Sequence, residues 1–252
     1  MPFAGLGLHV VLALICAIHV VRTRQQLYWL FILFAFPLLG SLVYFFAIYL
    51  PNSRIERGAL KAVSAAAKAI DPTREVREAR AVFEEAPTAQ NQMRLAAALL
   101  DVGNAEEAAQ QYESCLKGPF ASDPEIRLGA GRAFTECRRF NEALRHLEWL
   151  RAERSNFRPE AVALLLARCY AGTSRDEEAR SEFQSAESRF GTFQAKAEYA
   201  IWALAIGDKD TAQRLDTELE KIASRWNSLT RDLNADVYRR YRAAKELARQ
   251  RA

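Results

Sequence analysis

Charge is distributed along this chain in a way that no single globular domain uses. Of its 35 Lys and Arg and 31 Asp and Glu, only Arg22 and Arg24 lie before Arg54, so a nearly charge-free N-terminal segment precedes a densely charged remainder. The two parts must meet different surroundings. Half of the residues are hydrophobic, and with 4 Cys and 11 Gly in 252 the chain is neither disordered, nor a disulfide framework, nor collagen-like. A formal net charge of +4 is too close to balance for a strongly electrostatic nucleic-acid binder, so no nucleic-acid partner is expected.

The N-terminal segment holds two uncharged runs, residues 4–21 and 28–50. At about 1.5 Å per helical residue the second covers roughly 34 Å, enough for a hydrocarbon core of about 30 Å, and the first is just long enough. Two membrane passes are expected. A cleaved signal peptide fits badly, because nothing basic precedes the first run and Arg22-Thr23-Arg24-Gln25-Gln26 follows it in place of small residues. Trp29 opens the second run and Tyr44 and Tyr49 fall toward its end, where amphipathic rings sit at headgroup level. Pro37 would kink that helix, and Gly40 allows close helix approach. Trp29, Pro37, Gly40 and Tyr44, after a first helix and a short basic turn, resemble the membrane hairpin at the N-terminus of cardiolipin synthases and other phospholipase D-like proteins. In that family a catalytic domain with two His-x-Lys motifs follows. Here the residues two places after His9, His19 and His146 are Val11, Val21 and Glu148, so the resemblance implies a hairpin without the family's chemistry.

Beyond Pro51-Asn52-Ser53 the composition is that of helices, rich in Ala, Glu, Arg and Leu, with Gly and Pro at the joints. The stretch from Leu95 through Gly103 and Ala108 to Tyr112 recurs downstream, around Gly131, Phe134, Phe140 and Ala143, then Ala167, Tyr170, Ala179 and Phe183, and more loosely Ala200, Gly207, Ala212 and Leu219. The equivalent alanines Ala108, Ala143, Ala179 and Ala212 are 35, 36 and 33 residues apart. This pattern resembles the tetratricopeptide repeat, whose period is about 34 residues. The resemblance implies an all-α protein, a two-helix transmembrane hairpin followed by a tetratricopeptide-like α-solenoid. The expected divisions are 1–53 for the hairpin, 54–226 for the repeats and 227–252 for a C-terminal capping helix. Such stacks present the first helix of each pair on a concave face. On this register Met93, Leu128, Arg132, Leu164 and Arg168 are the candidate binding residues. Arg132 and Arg168 occupy equivalent positions in adjacent repeats, so two guanidinium groups could face one carboxylate, or each could pair with a neighbour such as Glu125 or Glu136. The Lys/Asn clamp of chaperone-binding relatives is not reproduced, since its places hold Met93 and Ala97.

No other chemistry is legible. Cys16, Cys115, Cys137 and Cys169 form no Cys-x-x-Cys, the three histidines are scattered, and no phosphate-cradling loop follows a strand pattern, so no catalytic residue, metal, cofactor or small-molecule substrate is expected. From Tyr238 to Arg251 six basic residues oppose only Glu246, which suits either an anionic surface or a solvated terminal helix. Basic residues after the second run (Arg54, Arg57, Lys61, Lys68) outnumber Arg22 and Arg24 of the turn, which places the array on the cytoplasmic side. The sequence therefore predicts a two-pass protein of the inner membrane of a bacterial-type cell. It would be a non-catalytic scaffold or adaptor whose groove takes a protein or peptide and whose hairpin sits in the lipid bilayer. The alternative is an accessory protein of phospholipid metabolism or envelope assembly, whose hairpin recognises anionic lipid or a lipid-synthesising enzyme.

Overall fold

The repeated turn after every first helix organises the structure. In the computed structural model, residues 71–251 are described throughout, and ahead of them residues 14, 17, 18, 20, 22, 26, 28–35 and 43. The chain divides into two compact units, Met1–Pro72 and Thr73–Ala252. In the first, helix α1 (Tyr28–Ala35) carries no charge. Val20 is buried and Trp29 nearly so, and they pack with Ala17, Leu30 and Ile32, whereas Phe31 and Phe34 remain more than two-thirds exposed at 77% and 75%. Among the described residues no helix is long and apolar enough to cross a membrane. Most of the two expected spans, with Pro37, Gly40, Tyr44 and Cys16, lies outside the described residues.

The second unit is helical, with no strand among the described residues. Helix α2 (Arg74–Glu85) is followed by four helix pairs: α3 (Ala89–Asp101) with α4 (Ala105–Cys115), α5 (Pro124–Glu136) with α6 (Phe140–Glu153), α7 (Pro159–Gly172) with α8 (Asp176–Phe190), and α9 (Phe193–Ile206) with α10 (Lys209–Ala223). Residues 54–70, the start of the expected repeat region, lie outside the described residues. Each pair turns through one residue with left-handed backbone: Gly103 at φ +83°, Arg138 at +62°, Ser174 at +58° and Gly207 at +79°. Glycine adopts that conformation freely, whereas a side chain there costs about 1–2 kcal/mol. Asn104 and Asp208 then cap α4 and α10 by accepting from the N–H groups of Glu107 and Thr211. In the two middle repeats the corresponding Arg139 and Arg175 make no cap and instead reach Glu142 and Glu178.

Packing explains the alanines and glycines of the repeat. Ala108, Ala143 and Ala179 are fully buried at helix crossings. A Cβ on Gly131 would stand 2.8 Å from a methyl carbon of Leu147, and one on Gly129 would stand 2.4 Å from the Tyr112 ring. The helices touch there without a side chain between them. Leu95, Leu99, Ile126, Phe134, Leu147, Leu150, Leu166 and Phe183 fill one continuous core through the stack, as nearest-neighbour repeats require, since no pair buries its apolar stripe alone.

The C-terminal region departs from the single capping helix expected over residues 227–252. Asn227 accepts from the Thr230 N–H to start α11 (Ser228–Leu233), the chain breaks at Asn234, and α12 (Ala235–Arg251) packs against α9. Phe193, Trp226 and Tyr238 form an aromatic cluster at that junction, with Phe193 and Trp226 ring centres 4.5 Å apart. Buried Tyr241 donates its hydroxyl hydrogen to Asp216, which also accepts from Lys245. The basic run is largely neutralised by carboxylates: Arg240 on Glu198, Arg239 on Asp236, Lys245 on Asp216 and Arg242 on Glu220 at 3.5 Å. It reads as a docked, solvated helix rather than an open cationic surface.

Candidate binding groove

The first helices α3, α5, α7 and α9 lie side by side along the stack and contact one another in sequence. Between them and α12 runs a groove of about 630 Å³. Its floor is aliphatic, with Leu100, Leu128, Leu164 and Leu165, and its walls carry Arg132, Arg158, Arg168 and Arg240 together with Asp101, Glu136, Glu198 and Asp236. A second, smaller cleft of about 330 Å³ lies at the far end of α9, near Ile206 and Ala248. It offers almost no polar group apart from Asp208, Lys209 and Arg251, and it stands away from the row of first helices.

The structure brings together four of the five residues that the repeat register singled out. Leu128 and Arg132 sit one turn apart on α5, and Leu164 and Arg168 one turn apart on α7, all lining the groove. Met93 does not join them: it is half-buried against the core and lies outside the groove lining. Trp29, the described member of the hairpin motif, belongs to the other unit.

The two candidate arginines have different surroundings. Arg168 donates to Glu136 at 3.0 Å, a pair that bridges α7 and α5. Glu125, the other carboxylate considered as a partner, accepts instead from Arg158 at 2.7 Å. Arg240 of α12 donates to Glu198, whose side chain is only 6% exposed. Arg132 is exposed and makes no hydrogen bond or ion pair with any described residue. Sequence reasoning missed Arg158, Glu198, Asp236 and Arg240. The first has a visible signal, since Glu125 and Arg158, like Glu136 and Arg168, are opposite charges about one repeat apart. The others depend on the return of α12 along α9, which no local pattern encodes.

Elsewhere the titratable groups serve packing. Burial pushes the Cys115 thiol up to about 11 and raises that of Cys169, which shares a 3.2 Å contact with the Thr135 hydroxyl, so neither is a ready nucleophile. His146 is buried and stacked on Phe134 with ring centres 5.7 Å apart, and neither of its ring nitrogens has a partner. Burial, helped by Arg127 and Arg145, lowers its pKa to about 4. Among the described residues no group of three or more His, Cys, Asp or Glu could hold a metal ion.

No family model matches the chain, and no curated protein matches it. Among solved structures it is similar to MamA, from residue 41 to the end, of Desulfovibrio magneticus RS-1, at 16% identity and a TM-score of 0.53, covering 67% of this chain and 95% of that one. It is also similar to the MamA RS-1 ArsTM double mutant, at 15% identity and a TM-score of 0.51, covering 68% of this chain and 96% of that one. At such identities the likeness is one of fold. Together with the helix pairs and their period, it supports a tetratricopeptide-like α-solenoid for the second unit.

Proposed function

We propose that this chain is a scaffold that binds another protein in the groove formed by α3, α5, α7 and α9, without catalysis of its own. One observation carries the reading: consecutive first helices build a single groove of about 630 Å³ with an aliphatic floor and charged walls. Such mixed linings suit peptide segments, whose side chains need apolar pockets and whose backbone and charges need polar partners. The N-terminal unit tethers the array to the inner membrane by two passes, with the array on the cytoplasmic side. Support for the tether is the pair of uncharged runs and the exposure of Phe31 and Phe34, large apolar side chains of the kind that mark contact with a membrane or another protein.

Site-specific photo-crosslinking in the full-length protein tests the groove. A crosslinker at Gln194 should capture a discrete partner, and one at Arg145, on the second-helix side, should not. Equal capture from both positions would count against it. A reporter fused after Ala252 tests the side of the membrane, and alkaline extraction of membranes tests the tether.

A further inference from the structure

Of the four arginines that line the groove, three are neutralised across a helix junction, Arg158 by Glu125, Arg168 by Glu136 and Arg240 by Glu198. Arg132 alone among them makes no ion pair with a described carboxylate, although it is exposed in the groove lining. Within a groove whose other three arginines are paired, one guanidinium, with its planar set of N–H donors, is left unpaired. Beside it lies the aliphatic floor, in which Leu128, one turn earlier on α5, and Leu164 on α7 are mostly buried and Leu165 on α7 is half-buried.

The spacing of the repeats sets the form of a complementary ligand. Adjacent packed helices stand about 8–10 Å apart, and an extended chain advances about 3.3 Å per residue, so a peptide crossing from α5 to α7 needs about three residues. The groove's own carboxylates limit the charge of a ligand. Asp101, Glu136, Glu198 and Asp236 all line it, Glu136 one turn from Arg132 on α5, so a run of acidic residues would meet carboxylates beyond a single contact with Arg132.

Resting on the groove reading above, we propose that the ligand is an extended protein segment in which a single Asp or Glu is held by Arg132, with an aliphatic side chain about three residues away seated over Leu165 and the edge of Leu164. A strongly acidic run is disfavoured, and so is a basic segment.

A library of random 12-residue peptides, selected on the full-length protein in detergent micelles, tests this directly. The wild type should enrich peptides with one acidic residue spaced from Leu, Ile, Val or Phe. For a selected peptide, replacing the acidic residue by its amide should weaken binding about tenfold. With Arg132→Ala the same replacement should change binding by less than about twofold, the signature of a direct pair. Arg132→Glu should shift selection toward Lys and Arg. Enrichment without acidic residues, no enrichment, or an amide effect unchanged in Arg132→Ala would overturn the inference. Ala161→Trp and, independently, Gln194→Trp fill the groove, with folding checked by thermal melting. If the enriched peptides carry no acidic residue and both variants abolish their enrichment, the groove reading stands while the inference falls. Enrichment that survives both well-folded variants overturns the groove reading too.

Discussion

Two kinds of arginine coexist in the second unit, and their difference separates what holds the array together from what it can bind. At the junction of α9 and α12, Arg240 satisfies Glu198, a carboxylate 5% exposed that would otherwise be buried without a counter-charge. On α5, Arg132 satisfies nothing among the described residues and stands in open groove. The first cation is part of the fold because its removal leaves a desolvated anion. The second makes no ion pair with a described residue that the fold would lose. A similar division runs through the apolar residues, with Phe134 and Leu147 fully buried between helices while Leu100 and Leu165 are half-buried at the groove floor.

The sharpest way to break the structural side is to empty the core. Phe134→Ala removes a ring with 0% exposure between α5 and its neighbours and should cost about 3–5 kcal/mol, read as a large fall in melting temperature. Acid probes the same spot through His146. Its folded pKa of about 4 lies below the usual 6.5, so the unfolded chain binds the proton more readily, and stability is intact above about pH 6.5 and lost as pH falls toward 4. The loss should reach up to about 3 kcal/mol, and His146→Phe should abolish that part of the pH dependence in urea titrations. Arg240→Ala should cost about 2–3 kcal/mol by stranding Glu198, and Glu198→Gln in the same chain should recover part of it. Ser174→Gly relieves left-handed backbone at the third turn and should stabilise by about 0.5–1 kcal/mol, a gain visible as a later midpoint in urea. Arg132→Ala should shift stability by less than about 0.5 kcal/mol while weakening the binding of an acidic ligand. A destabilisation as large as that of Arg240→Ala would erase the contrast between the two arginines.

The array was largely legible because its determinants are local. Ala108, Ala143, Ala179 and Ala212 mark helix crossings at a fixed period, and Gly103 and Gly207 sit where the backbone is left-handed. The register followed from these, and it placed Leu128, Arg132, Leu164 and Arg168 on one face. The repeat pattern alone could not decide between Arg168 gripping a ligand and Arg168 pairing with Glu136, because that choice depends on side-chain reach across α5 and α7. Nor could it place Met93, whose thioether folds toward the core instead of the groove lining. The break at Asn234 was hidden because no Pro or Gly marks it; Asn234 instead uses its side-chain amide to donate to the Thr230 carbonyl. The positive excess of the last helix misleads for a related reason, as its counter-charges Asp216 and Glu220 lie in α10, distant in sequence and adjacent in space.

Hydrogen exchange of the full-length protein, with and without a bound partner or selected peptide, tests the central claim most directly. Binding in the groove should slow exchange in α3, α5, α7 and α9, most strongly around Leu128, Arg132, Leu164 and Arg168, and leave α4, α6, α8 and α10 nearly unchanged. Slowed exchange confined to those second helices, with the groove residues unaffected, would contradict it.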